Sequence, residues 1–340
     1  MALEILYDKD GSLAPLQGKV VAVLGYGSQG HAHAQNLRDS GAQVIVANRP
    51  DSRNGKLAAE HGFKPLSVED AVKQVAANPA GGLVIMTLPD EVQPEVYAKS
   101  IAPHLTSKVT LGATHGFNIH FKTITPPKDV DVIMVAPKGP GHTVRSEFER
   151  GGGVPCLLAV HQNASGKAKD LALAWAIGVG GGRSGVIVTS FKDECETDLF
   201  GEQNVLCGGL SELIKTGFEV LTEAGYPPEL AYFEVCHEVK LIVDLVVRGG
   251  LSYMRYSISN TAEFGDYHTG PKLIDDGVKQ RMRQALADIQ SGQFAKTFRG
   301  DYENGFKWFL AQREKDRNHG VEVTGRKLRA MMPWIKPVEM

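Results

Sequence analysis

The sequence predicts an α/β fold: a doubly wound, mostly parallel sheet over residues 1–189, an all-helical domain over 190–335 and a short tail, 336–340. Two observations predict it. Seven short β-branched runs alternate with helical stretches as far as Thr189, the rhythm of strands joined by crossover helices. After Ser190 that rhythm stops, and long stretches with helical spacing of apolar residues replace it.

In order, the runs are Val20–Leu24, Val44–Ala47, Leu83–Thr87, Val109–Gly112, Val130–Ala136, Val154–Val160 and Val186–Thr189. Their near-continuous apolar character belongs to strands covered on both faces. Gly151–Gly153 and Gly180–Gly182 fall at element edges, where turns are expected. The later helical stretches include Asp193–Ala224, Pro228–Val247 and Asp275–Gln290, punctuated by Gly225-Tyr226-Pro227-Pro228, Gly249-Gly250 and Gly270-Pro271.

With 340 residues and 42% hydrophobic content the chain can bury a large core, and its 37 basic and 39 acidic side chains are interspersed. That balance carries no footprint for nucleic acid or an anionic membrane. The first 16 residues have no apolar segment behind a basic start. No later run reaches the roughly 18 uncharged apolar residues of a membrane span. A cytoplasmic protein working on small molecules is therefore expected. Cys156, Cys195, Cys207 and Cys236 are scattered without CxxC spacing and read as buried, reduced thiols.

The first run leads into Gly25-Tyr26-Gly27-Ser28-Gln29-Gly30, a G-x-G-x-x-G sequence that opens the apparent helix His31–Asp39. Between a strand and a helix this is the Rossmann dinucleotide fingerprint. Gly25 permits the tight turn, Gly27 lets the backbone approach a pyrophosphate, and Gly30 allows close helix–strand packing. Free N–H groups at the helix start face the anion. Cofactor choice belongs at the end of the second strand, where Arg49, Ser52 and Arg53 suit a 2′-phosphate and favour NADP(H). Asp51 in the same loop suits a ribose diol instead, so NAD(H) stays open. His31 and His33 lie two apart on a helix and point to different faces, which suits packing better than metal binding.

The helical domain opens with Asp198 and Glu202, four apart and so on one helix face, with Glu194 one turn earlier. Glu234 and Glu238 repeat the spacing inside an otherwise apolar stretch, with His237 pointing elsewhere. Paired carboxylates without nearby imidazole or thiolate suit hard Mg²⁺ or Mn²⁺. One such pair is ordinarily a solvated face; two, each without a lysine four residues on, ask for a cation.

Together the strings GYGSQGHAHAQNLRDSG, ATHGFNIH, APKGPGHTVR, TDLFGEQ, FEVCHEVKLIVDL and YSISNTAEFG resemble ketol-acid reductoisomerase of the shorter class, from Tyr7 to about Pro333. The resemblance implies that Asp198, Glu202, Glu234 and Glu238 hold two Mg²⁺ ions, with Asp198 bridging. It makes His115 the catalytic histidine, Lys138 part of its polar network and Ser259 a contact of the substrate carboxylate. Tyr26, Ser28, Gln29, Arg49, Ser52, Asp90, Glu91, Val92, Gln93 and Gly141 become cofactor contacts. It also implies a knotted helical domain completed by dimerisation. The sequence departs from the family at Thr114, where many relatives have alanine, and in the Pro50-Asp51-Ser52-Arg53 loop. Two other readings stand beside it: a metal-independent 3-hydroxy-acid dehydrogenase, whose activity survives EDTA, and a dinucleotide sensor without chemistry. Neither accounts for Glu234 and Glu238.

Overall fold

The computed structural model describes residues 3–332, so the expected tail and the end of the expected helical domain lie outside the described residues. The chain divides into two compact units, with the boundary between Thr197 and Asp198.

The first unit contains, in order, β1 (Ile5–Leu6), β2 (Val20–Leu24), α1 (Ser28–Asp39), β3 (Gln43–Ala47), α2 (Arg53–Glu60), α3 (Val68–Ala77), β4 (Gly82–Met86) and α4 (Gln93–Val96). It continues with β5 (Val109–Ala113), α5 (Phe117–His120), β6 (Val132–Pro137), α6 (Gly141–Glu149), β7 (Cys156–Gln162), α7 (Ala168–Gly178) and β8 (Val186–Thr189). Then α8 (Phe191–Gly201) begins, and the unit boundary falls inside it. The strands form one sheet in the order β1-β8-β7-β6-β5-β4-β2-β3.

All seven expected strands are present. The pairs from β3 through β6 are parallel, whereas β7 runs antiparallel to β6 and β1 antiparallel to β8. Periodicity carries no sign of strand direction, and a two-residue strand such as β1 leaves no period to read. Alternate residues of one strand serve opposite faces. Val21 and Val23 of β2 join the core that holds Trp175, while Val20, Ala22 and Leu24 join the core on the other side. Burying each such side chain contributes about 1.5–3 kcal/mol. His33 is buried in the first of these layers and accepts the Trp175 indole N–H on Nδ1 at 2.9 Å. Burial pushes its pKa down to about 3, so it is a neutral structural residue.

The second unit is helical, with no strand among its described residues: α9 (Gly208–Glu223), α10 (Pro228–Tyr232), α11 (Val239–Tyr256), α12 (Asn260–Leu273), α13 (Asp276–Gln290), α14 (Gln293–Glu303), α15 (Lys307–Arg317) and α16 (Gly320–Ala330). Two expected breaks are bridged. Gly249-Gly250 is a kink inside α11, with Gly250 at φ 79°, and Gly270-Pro271 lies within the last turn of α12. The expected helix Asp193–Ala224 is in turn interrupted by a wide π-turn over Glu202–Leu206, and Pro228–Val247 by another over Phe233–His237. The four cysteines are free thiols, but only Cys156 and Cys195 are buried; Cys207 is exposed. Among the described residues no helix is long and apolar enough to cross a membrane.

Candidate active site

The expected cofactor and catalytic positions of the first unit cluster at the carboxyl ends of its parallel strands: Gly25 after β2, Arg49 after β3, Asp90 after β4, His115 after β5 and Lys138 after β6. Strand order reverses between β2 and β4, the switch point where open α/β sheets bind ligands.

The glycine turn fits a pyrophosphate. Gly25 has φ +102°, which a side chain would strain, and a Cβ on Gly30 would collide with the Gly25 carbonyl. Gly27 has nothing within 4 Å of where its Cβ would be, so the backbone there is open to a ligand. Tyr26 is turned into the core, its hydroxyl hydrogen-bonded to His61 Nδ1 at 2.9 Å, which leaves its main chain to face the turn. Ser28 and Gln29 tie the turn to the loop before α6. Gly141 N donates to Ser28 Oγ at 3.0 Å, and Gln29 Nε2 donates to Gly139 O at 2.9 Å. Any side chain on Gly141 would overlap the Ser28 carbonyl, so the starts of α1 and α6 meet backbone to backbone.

In the loop after β3, Arg49, Asp51 and Arg53 are exposed, whereas Ser52 caps α2 by accepting the Gly55 N–H at 3.0 Å. The Asp90–Gln93 loop is fastened from α5: Asn118 Nδ2 donates to Asp90 O at 3.0 Å and to Gln93 Oε1 at 3.1 Å. Gln93 is buried and donates to Leu88 O at 2.7 Å; Glu91 and Val92 are partly exposed beside it.

His115 stands on the turn between β5 and α5. Glu194 of α8, 1% exposed, receives two donors from this turn: His115 Nδ1 at 3.0 Å and Gly116 N at 2.7 Å. A Cβ on Gly116 would collide with the Phe191 carbonyl, so glycine is what lets α8 come this close. Burial alone lowers the His115 pKa, but hydrogen bonds from its ring to Cys195 and Glu194, with the charges of Glu194 and Asp90, raise it well above the ordinary value. A carboxylate on Nδ1 fixes the tautomer and orients the ring for proton transfer. Lys138 is exposed, with its N–H donated to Pro155 O at 2.8 Å.

Asp198 lies one turn beyond Glu194 on α8, and Glu202 opens the first π-turn. Glu234 lies within the second π-turn and Glu238 directly follows it; both are exposed. Cys207 N donates to Glu202 O at 3.0 Å and Glu238 N to Phe233 O at 3.2 Å, each bond spanning five residues. Such wide turns recur at functional sites. The four oxygen donors suit a hard divalent cation. Among the described residues, neither Glu234 nor Glu238 belongs to a group of three ligand side chains within 4.8 Å of one another. Ser259 is exposed and caps α12, accepting the Ala262 N–H at 3.2 Å.

Sequence reasoning placed Glu194 only on the face of Asp198; its grip on His115 spans 79 positions, beyond any local period. Asn118 and Cys195 had no signal of their own.

The family model "Acetohydroxy acid isomeroreductase, NADPH-binding domain" matches residues 15–185, and "Ketol-acid reductoisomerase, C-terminal domain" matches 191–334. The chain belongs to the ketol-acid reductoisomerase family. An NADH-preferring ketol-acid reductoisomerase from an uncultured archean is 45% identical over 97% of this chain and 99% of its own, with a TM-score of 0.93. A semialdehyde dehydrogenase NAD-binding protein from Cupriavidus necator is 18% identical over 80% of this chain and 99% of its own, at TM-score 0.58, and shows the fold alone. Membership of the ketol-acid reductoisomerase family makes the chain an NAD(P)H-dependent oxidoreductase with isomerase activity, its Rossmann-type domain carrying the nucleotide site.

Proposed function

We propose that the chain converts 2-acetolactate or 2-aceto-2-hydroxybutyrate, by a 1,2-alkyl shift and a reduction with NAD(P)H, into 2,3-dihydroxy-3-methyl acids on the route to valine, leucine and isoleucine. The observation that carries this reading is the His115–Glu194 pair, in which a buried carboxylate on α8 grips the imidazole one turn before the same helix presents Asp198.

An alkyl shift requires loss of the proton of a tertiary hydroxyl and a more electrophilic neighbouring ketone. Asp198, Glu202, Glu234 and Glu238 would hold two Mg²⁺ ions, which would supply both effects when bound. The nicotinamide supplies the hydride of the second step. With Nδ1 committed to Glu194, His115 exchanges the proton at Nε2 through bound water, supported by Lys138. Ser259 keeps its hydroxyl hydrogen for the substrate carboxylate, since its oxygen is the acceptor in the α12 cap.

NADPH is the favoured donor, because Arg49 and Arg53 stand exposed where a 2′-phosphate would lie. NADH is the second reading, favoured by Asp51 between them and by the NADH preference of the 45% identical relative. The enzyme works in the cytoplasm as a homodimer or a multiple of dimers, its helical unit completed by a second copy.

The test follows oxidation of NADPH and of NADH with racemic 2-acetolactate, in Mg²⁺ and in EDTA. Mg²⁺-dependent oxidation is expected, and the ratio of the two rates settles the donor. Oxidation that survives EDTA favours a metal-independent dehydrogenase; cofactor binding without turnover favours a sensor.

A further inference from the structure

Within the first unit a cavity of about 440 Å³ opens between the segment that follows α5 and the start of α8. Ile119, Ile124, Val160 and Phe191 give it an apolar lining, and Lys122, His161, Ser190 and Lys192 a polar one. The two chemistries call for an amphiphilic ligand. A fourth basic residue of the lining, His120, is already held by Glu196 at 3.3 Å. Lys122 and Lys192 are exposed and have no ion-pair partner among the described residues, so the cavity offers two ammonium groups without a direct counter-ion.

The start of α8 adds to that charge. Ser190 Oγ accepts the Asp193 N–H at 3.0 Å, and Ser190 O accepts the Glu194 N–H at 3.0 Å. The amides of Phe191 and Lys192, in the first turn of an 11-residue helix, have no such carbonyl to serve, and the positive end of the helix dipole lies with them. A simple inorganic anion would leave the apolar lining uncovered, and a hydrocarbon would leave two lysines without a counter-charge.

The geometry points to a regulatory site for a small branched aliphatic carboxylate, its anionic end between Lys122 and Lys192 and its alkyl end on Ile119, Ile124, Val160 and Phe191. Its effect on turnover would come through its walls. Gly116 leads directly into α5, and α8 supplies Glu194, so the cavity is bounded by the two elements that clamp His115. A ligand bridging Lys122 and Lys192 fixes the end of α5 relative to the start of α8, and with it the Glu194 grip on His115 and Gly116. The coupling rests on the role proposed for His115; the binding does not.

Isothermal titration of the full chain with 3-methylbutanoate tests the site. EDTA is present so that no cation at the carboxylate pairs recruits the acid, and acetate and inorganic phosphate are run in parallel. Saturable binding of 3-methylbutanoate is expected, with acetate weaker by about tenfold or more for its missing methylenes. A Lys122→Glu/Lys192→Glu variant should lose about tenfold or more of this affinity while its turnover without ligand stays unchanged. Absent binding, phosphate binding as tightly as 3-methylbutanoate, or undiminished binding in the double variant would each overturn the site. The regulatory role is read separately, from turnover of 2-acetolactate with Mg²⁺. A change at saturating 3-methylbutanoate that disappears in the double variant supports it, and a change that persists there, or none at all, overturns it.

Discussion

At the scale of single residues, the chemistry proposed for His115 depends on Glu194, because one buried carboxylate receives both the imidazole Nδ1 and the Gly116 amide. Glu194→Gln keeps an acceptor but removes the charge that helps raise the His115 pKa. A base with a raised pKa gains activity as pH climbs through that value, so the rising limb of kcat/KM should move to lower pH in the variant. Its kcat should fall by about 10²-fold or more, and NAD(P)H affinity, expected to rest on the glycine turn, should hardly change. A pH–rate profile unchanged from the wild type would remove Glu194 from this role. His33 makes a second prediction, this one about stability. Its folded pKa, about 3, lies below the ordinary value of 6.5, so between those two pH values the unfolded chain binds a proton that the folded chain does not. Stability is therefore full above pH 6.5 and falls with decreasing pH by up to about 1.4 kcal/mol per unit for this one proton. Thermal unfolding of wild type and His33→Asn checks this, since asparagine still accepts the Trp175 N–H but does not titrate; equal pH slopes would dismiss it. At this scale the glycine fingerprint was readable because its constraints are local. Gly25 needs its positive φ and Gly30 its missing Cβ whatever surrounds them. The partnership of His115 and Glu194 was not readable, because tertiary packing creates it.

At the scale of elements, the strands were legible almost residue for residue, since Val20–Leu24 and Val186–Thr189 are continuous β-branched runs bounded by turns. The wide turns were not. A period of 3.6 assigns Asp198 and Glu202 to one face and passes over the extra residue that follows. The π-turn leaves Cys207 bonded back to Glu202 and is followed by Gly208-Gly209. A Cβ on Gly208 would collide with the Gln203 carbonyl and one on Gly209 with that of Asn204, so the pair of glycines admits the wide turn that a side chain would expel. Gly208→Ala should therefore cost about 1–3 kcal/mol through overpacking and turn the Glu202 carboxylate away from its present direction. If the proposed Mg²⁺ site is as read, Mg²⁺ should raise the melting temperature of the wild type and raise that of the variant less, with NAD(P)H binding retained. If Mg²⁺ stabilises the variant as strongly as the wild type, the turn is not what aims Glu202.

At the scale of the whole molecule, sequence periodicity assigned helices to the second unit without showing what they pack on. Its buried cluster is small, built on Phe218, Ala231, Tyr232, Val321 and Leu328, while large apolar side chains such as Val247 (81% exposed), Tyr256 (85%) and Phe264 (71%) are open. Apolar surface on this scale marks an interface, and the proposed dimer places a second copy there. Whether Glu234 and Glu238 then serve the Asp198 and Glu202 of their own chain or of the partner is decided by complementation. Asp198→Asn and Glu238→Gln should each be inactive as pure dimers. Unfolded together in equal amounts and refolded, they form mixed dimers. If the two carboxylate pairs come from different chains, each mixed dimer keeps one intact site, and random pairing restores roughly a quarter of wild-type activity. If both pairs come from one chain, every site carries a lesion and the mixture stays inactive. Sedimentation of the same samples separates this outcome from a failure to assemble, since a dimer with no recovered activity assigns the site to a single chain, whereas a monomer that turns over with Mg²⁺ would refute the dimer itself.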